Sequence, residues 1–260
     1  MWKLCFPIPL VSLIQAKLFM RNLKIFLCSL VYTALLFVSF ILIAPFALLP
    51  SPFMNENRRW SVARCWADVN LYLLEHLCGL KYELLGKENI PEERCVLFIK
   101  HSSVMEIFIG LKYFSPSSWV GKYELMYLPI FRGAYKKFRL IPVKRGMGRT
   151  EVNKVVNQGT TLLAENKWII IFPEGTRMPY KQTKKYGLSG SLLAKGTKTP
   201  VLPISHNAGR YWKRRGLLKF PGTVYFSIGS TVSTKDKTVD EINKTVQTWI
   251  ENEIAVIDLY

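Results

Sequence analysis

The sequence predicts an α/β fold in which a largely parallel β-sheet is flanked by helices and preceded by an N-terminal membrane-embedded helical segment. Three observations lead to this prediction. An uncharged apolar run lies near the N-terminus, short apolar runs alternate with helical stretches after Gly79, and polar motifs directly follow several of the short runs. We assign residues 1–54 to the membrane-anchoring segment and residues 55–260 to the α/β domain.

The long apolar run, Ile25–Leu49, carries no charge over 25 residues. A helix rising about 1.5 Å per residue would be long enough here to cross a hydrocarbon core of about 30 Å. Basic residues flank the run on both sides, with Lys17 and Lys24 before it and Arg58 and Arg64 after it. The positive-inside rule therefore does not assign its ends to opposite faces, and both a single span and a hairpin within one leaflet stay open.

The remainder of the chain begins with an amphipathic pattern over Arg58–Leu77, which predicts a helix that ends at Gly79 and packs on the domain, with a helix lying on lipid as the alternative. Seven short apolar runs then predict strands at Lys81–Leu85, Cys95–Ile99, Trp119–Val120, Leu140–Val143, Trp168–Phe172, Val201–Ile204 and Val224–Ile228. Helical periodicity between several of them is typical of a parallel sheet. In such sheets, functional residues usually follow the carboxyl ends of the strands.

The net charge of +18 indicates a surface that attracts anions, such as lipid phosphates, nucleic acid or an acidic protein. No nucleic-acid-binding motif is present, and neither are the G-x-S-x-G, H-E-x-x-H or Walker motifs. We therefore expect no nucleic-acid partner, no metal and no cofactor. The five cysteines lack a disulfide or zinc pattern, which suits a domain on the cytoplasmic side of the cell membrane.

The stretch FIKHSSVMEIF contains the first candidate site, because His101 follows a predicted strand and Glu106 lies five positions later. Glu106 could orient the His101 imidazole so that the ring removes a proton from a hydroxyl. Ser103 and Glu106 also match the S-x-x-E capping box, in which the glutamate only caps a helix. The sequence leaves both roles open.

Three further motifs also follow predicted strands. Phe172–Arg177 reads FPEGTR, in which glycine permits close backbone approach and arginine offers a rigid fork for phosphate. Leu140–Gly146 contains two cations, and Val201–His206 ends in polar groups.

Together these motifs resemble the glycerolipid acyltransferase family of the lysophosphatidic acid acyltransferase type. HSSVME is similar to its first motif, with glutamate where many members have aspartate; IPVKRG is similar to its second, FPEGTR to its third and VLPISH to its fourth. The resemblance covers about residues 80–230. It implies transfer of an acyl group from acyl-carrier protein or coenzyme A to the free hydroxyl of a lysophospholipid in the membrane.

The resemblance also implies roles for individual residues. His101 is the expected general base and Glu106 its orienting partner, while Lys122, Arg145, Glu174, Gly175, Thr176 and Arg177 are the expected substrate-binding residues. Backbone amides near Ser103 are candidates for stabilising the oxyanion. Glycerol 3-phosphate or another lyso-lipid could replace lysophosphatidic acid, and a non-catalytic basic module that binds anionic lipid or nucleic acid is the competing class.

Overall fold

The seven predicted strands all form and make one sheet. The computed structural model describes residues 8–50, 53–144 and 146–260. The strands are β1 (Leu80–Leu85), β2 (Val96–Ile99), β3 (Ser117–Lys122), β4 (Ile141–Val143), β5 (Trp168–Ile171), β6 (Val201–His206) and β7 (Gly222–Ile228). Their order across the sheet is β1-β7-β6-β2-β5-β3-β4.

Every neighbouring pair in the sheet is parallel except β6 and β7, which are antiparallel. β2 lies in the middle, paired with β5 on one side and β6 on the other. β2 and β5 are fully buried, as expected for strands covered on both faces. The carboxyl ends of β2, β3, β5 and β6 therefore meet at one edge of the sheet.

Helices cover both faces of the sheet. They are α1 (Ile8–Leu48), α2 (Glu56–Cys78), α3 (Met105–Tyr113), α4 (Pro129–Lys137), α5 (Arg149–Ala164), α6 (Ser189–Thr197), α7 (Ala208–Tyr211) and α8 (Val239–Ile257). One apolar core lies between the sheet and α1, α2 and α3, and a second lies between the sheet and α5, α6 and α8.

The apolar N-terminal run forms one continuous helix, α1, with Pro45 inside its last turn. A hairpin within the run itself is therefore not formed. Instead α1 folds back on α2, and Arg59 joins the two because its guanidinium donates to the carbonyl oxygens of Ala47, Leu49 and Met54 at 2.7, 3.1 and 3.1 Å. The bonds to Ala47 and Leu49 occupy carbonyls at the end of α1 that have no helical partners, and the bond to Met54 holds the segment that leads into α2.

The predicted amphipathic helix is confirmed as α2 and packs on the domain, with Trp60, Leu71 and Leu74 buried. It ends at Gly79, whose φ of 64° is the left-handed conformation that closes helices and that glycine adopts most easily. α2 thus joins α1 to the α/β domain.

Candidate active site

The carboxyl edge of the sheet brings the predicted motifs together. Lys100 and His101 follow β2, Phe172 and Glu174 follow the adjacent β5, and His206 ends β6 on the other side. These residues come from three segments of the chain that meet because their strands are neighbours.

His101 and Glu106 form the pair that the sequence suggested. Nδ1 of His101 lies 2.7 Å from Oε1 of Glu106, whose side chain is completely buried. An ionised carboxylate can only accept, so Nδ1 carries the hydrogen and Nε2 is the nitrogen that can accept a proton from a substrate. The imidazole also stacks on Phe172, with ring centroids 3.9 Å apart.

Glu106 both caps the start of α3 and orients His101. Its Oε1 accepts from the backbone amides of Ser102 and Ser103 at 3.2 and 3.1 Å, and its Oε2 accepts from Ser103 at 3.0 Å. The orienting role is therefore joined by only half of the capping box: the carboxylate accepts from the amide of Ser103, but the N-cap of α3 is Val104 and has no side-chain hydrogen bond. The amides expected to stabilise an oxyanion near Ser103 are instead bonded to this carboxylate.

The surroundings of Glu106 keep it ionised. Burial opposes its negative charge, but the hydrogen bond from His101, the nearby Nε2–H of the His206 ring and the positive charge of Arg177 outweigh this effect and hold the pKa of Glu106 below its usual range. The carboxylate can therefore stabilise an imidazolium that forms on His101.

The backbone of His101 is held on both sides by the FPEGTR segment and the residue after it. The amide of His101 donates to Oε2 of Glu174 at 2.8 Å, and its carbonyl accepts from the amide of Met178 at 2.7 Å. Gly175 turns the chain between these contacts with a left-handed φ of 67°.

A predominantly apolar cavity of about 370 Å³ reaches His101. His101, Lys122 and Arg177 all line it. Its apolar walls come from α1, α2, α3, β3 and α4 and include Phe40, Ala63, Leu111, Val120, Ala134 and Phe138. The base and two cations thus share a cavity whose walls suit a hydrocarbon chain.

The other predicted substrate-binding residues differ in their burial and in their contacts. Arg177 is half-buried, and its Nε is buried without a hydrogen-bonding partner in the described part of the chain. Lys122 is exposed, and its Nζ lies 3.8 Å from Oε1 of Glu124. Thr176 is half-buried beside Arg177. Arg145 lies outside the described residues.

Glu174 differs from what the motif suggested, because it is buried and does not line the cavity. Its Oε1 forms an ion pair with Nζ of Lys100 at 2.7 Å. The carboxylate therefore faces the interior of the protein and the backbone of His101.

Two further residues of this edge, Lys100 and His206, carry only weak signals in the sequence. Lys100 is 1% exposed although it directly follows a strand of four buried residues, and a charge at such a position indicates an internal partner. In the sequence, His206 is the polar end of VLPISH and a candidate for a second site residue. Burial lowers the pKa of His206, so the ring is neutral. Its Nε2 donates to the carbonyl of Lys100 at 2.7 Å and lies 3.5 Å from Oε2 of Glu106.

Among the described residues, no group of three or more histidine, cysteine, aspartate or glutamate side chains could hold a metal ion. The arrangement provides instead an oriented imidazole, a nearby guanidinium and an apolar cavity. These can activate a hydroxyl, bind an anion and accommodate a chain.

Comparison with known proteins identifies the family. The family model described as Acyltransferase matches residues 81–207. A 1-acyl-sn-glycerol-3-phosphate acyltransferase of Pseudomonas aeruginosa is 35% identical over 211 residues, which cover 80% of this chain and 82% of the relative. The Saccharomyces cerevisiae protein of the same name is 26% identical over 198 residues, covering 72% of this chain and 61% of the relative.

Among solved structures, the 1-acyl-sn-glycerophosphate acyltransferase of Thermotoga maritima matches with a TM-score of 0.69 and 21% identity, covering 93% of this chain and 98% of that one. This match shows that the two chains share a fold. The relative from Pseudomonas aeruginosa shows closer kinship along most of both sequences. This chain belongs to the acyltransferase family, among the enzymes of the 1-acyl-sn-glycerol-3-phosphate acyltransferase type.

Proposed function

We propose that this enzyme transfers a fatty acyl group from acyl-carrier protein or coenzyme A to the free hydroxyl of lysophosphatidic acid, giving phosphatidic acid for phospholipid biosynthesis. The observation that carries the proposal is the His101–Glu106 pair at an apolar cavity that Arg177 also lines. The printed names of the curated relatives support lysophosphatidic acid as the acceptor.

In the proposed reaction, Nε2 of His101 removes the proton of the acceptor hydroxyl as the oxygen attacks the thioester carbonyl. Glu106 stabilises the resulting imidazolium through Nδ1. The tetrahedral intermediate then breaks its carbon–sulfur bond, and the leaving thiolate takes the proton from His101. The thioester is already activated, so no covalent intermediate on the enzyme is required. General-base catalysis of this kind contributes about 10²–10⁴ in rate.

Arg177 is the best placed of the proposed phosphate-binding residues. Its buried Nε has no protein partner among the described residues, and a guanidinium binds phosphate oxygens in a two-pronged geometry. Lys122 lines the same cavity and adds a second positive charge. We include Arg145 from its motif alone, whereas Gly175 and Thr176 shape the turn that presents Arg177.

The apolar cavity is the proposed site of the donor's acyl chain. Lipid chains gain about 0.8 kcal/mol for each methylene group transferred from water to an apolar environment. The cavity walls, which come largely from α1, α2 and α4, would provide that environment beside His101. The N-terminal helices therefore serve the reaction as well as the membrane.

We propose that the N-terminal segment, residues 1–54, attaches the enzyme to the membrane. Within the described residues, one helical segment, Leu13–Leu48, is long and apolar enough to cross a membrane. Its face away from the domain exposes Leu30, Val31, Val38, Ile41, Leu42 and Phe46. Apolar side chains in such a continuous surface favour contact with lipid.

The packing of α1 on α2 favours attachment to one leaflet. At the end of α2, the thiol of Cys78 lies near the carbonyl of Cys28 in the middle of α1. Near the start of α2, Arg59 contacts the carbonyl of Ala47 at the end of α1. The two helices therefore run side by side in opposite directions. Asp68 and Glu75 of α2 are exposed between these two levels, and Arg64 is half-buried there. Placing this part of α1 at hydrocarbon depth would bring those charges into the bilayer at a high energetic cost.

The part of α1 that precedes Cys28 offers no alternative span. Residues 8–27 form about 30 Å of helix, which only just equals the thickness of the hydrocarbon core. They also include Lys17, Arg21 and Lys24. We propose that α1 lies within the cytoplasmic leaflet, so that the cavity opens beside the lipid acceptor.

Replacing His101 with alanine should lower the rate of thiol release by at least about 10²-fold, because the base is lost. Glu106→Gln should lower kcat by at least about tenfold, because the amide no longer stabilises an imidazolium. The measurement is thiol release from an acyl thioester with lysophosphatidic acid, together with the melting temperature of each purified variant. Glu241→Gln is the matched control, since Glu241 caps α8 through Thr238 away from the site. If Glu106→Gln changes only the melting temperature, as Glu241→Gln should, Glu106 is a cap alone.

Filling the cavity should change the preferred donor. Ala134→Phe places a ring inside the cavity wall and should shift the kcat/KM maximum to acyl chains shorter by several carbons, with short-chain activity retained. Ala255→Phe, on the exposed face of α8, is the control and should keep the wild-type profile. If wild type and Ala134→Phe have the same dependence of kcat/KM on acyl-chain length, the acyl chain binds outside this cavity.

The proposed membrane arrangement predicts that both ends of α1 are on the same side. Cysteines introduced one at a time at Lys17 and Asn57, in a chain with Cys5, Cys28 and Cys65 changed to serine and with Cys78 and Cys95 buried, should react with an impermeant maleimide in inverted vesicles and not in intact cells. We expect this labelling pattern because, in the proposed arrangement, α1 does not cross the bilayer. Labelling of position 17 alone in intact cells would instead show a spanning helix.

A further inference from the structure

A buried cluster of three charges lies directly behind the proposed base. Nζ of Lys100 is 2.7 Å from Oε1 of Glu174 and 2.8 and 2.7 Å from Oε1 and Oε2 of Glu251, and it also donates to the carbonyl of Gln182 at 2.9 Å. The lysine is 1% exposed. A charge removed so completely from water is stable only because its partners are fixed around it.

Glu174 connects this cluster to the catalytic histidine. One of its oxygens pairs with Lys100 while the other accepts the backbone amide of His101 at 2.8 Å. Burial raises the pKa of Glu174 to about 7, and the attraction of Lys100 acts in the opposite direction. The ammonium therefore helps to keep the carboxylate ionised and accepting toward His101.

Glu251 supports the cluster from α8, outside the residues that match the family model. Its Oε1 accepts from the hydroxyl groups of Thr183 and Tyr186 at 2.8 and 2.7 Å. α8 is itself tied to the sheet, because Ser205 of β6 donates to the carbonyl of Ile250 at 2.7 Å. Glu251 is thus held in place independently of any substrate.

We propose that Glu251 and Lys100 are positioning residues for acyl transfer. Glu251 fixes the ammonium of Lys100, Lys100 fixes Glu174, and Glu174 fixes the peptide of His101 so that Nε2 points to the bound hydroxyl. The inference rests on the proposed function, since it concerns the geometry of that base.

The expected kinetic effect follows from the position of the cluster. Lys100, Glu174 and Glu251 are not among the residues that line the cavity, so substrates should bind without touching them. A small displacement of a catalytic group lowers the rate of the chemical step much more than binding. The loss should therefore appear in kcat and leave KM nearly unchanged.

The test compares Glu251→Gln with Glu253→Gln in the purified full-length enzyme. Glu253 is a matched control, because it lies on the same helix and binds the hydroxyl of Ser227 at 2.7 Å, away from Lys100. We expect Glu251→Gln to lower kcat by about ten- to a hundredfold with KM within twofold of wild type. Glu253→Gln should keep the wild-type kcat.

Melting temperatures and a second variant separate positioning from general stability. Lys100→Met should lower kcat at least as much as Glu251→Gln. If Lys100→Met does not fold, the comparison of Glu251→Gln with Glu253→Gln still tests the inference. Equal kcat for Glu251→Gln, Glu253→Gln and wild type would overturn the inference, and so would a loss confined to KM. Absence of acyl transfer in the wild-type enzyme itself would instead refute the proposed function.

Discussion

The carboxylate of Glu106 is the group on which the geometry of the candidate active site depends. It is completely buried, yet two backbone amides, the N–H groups of His101 and His206 and the positive charge of Arg177 stabilise its charge. A buried carboxylate with this many donors has little freedom to move or to take up a proton. The ring of His101 is oriented because its partner is rigid, and the start of α3 is fixed by the same bonds.

Different parts of the fold form the surroundings of the His101–Glu106 pair. Neighbouring parallel strands bring the three motifs to one edge, and the N-terminal helices complete an apolar cavity beside it. α1 contributes to the cavity wall with one face and exposes apolar side chains on the other. In the proposed function, the same helix would place the reaction at the lipid surface and help bind the acyl chain.

Much of the fold could be predicted because alternating short apolar runs and helical stretches depend on local sequence. All seven strands and α2 were found in this way, and His101, Glu106 and Arg177 were selected because they follow strand ends. The orientation of Glu174 could not be predicted, since spacing does not say which way a side chain in a turn points. The role of Lys100 was hidden for another reason: its partner Glu251 lies 151 positions away and meets it only through folding.

The central claim is that His101 and Glu106 act as one unit in proton removal, and a double-mutant cycle tests it most directly. The rate of acyl transfer at saturating substrates would be measured for wild type, His101→Ala, Glu106→Gln and the combined variant. Groups that act as a unit are strongly non-additive, so the combined variant should be no slower than His101→Ala alone. Multiplication of the two single losses in the combined variant would contradict the claim, because Glu106 would then act independently of the imidazole.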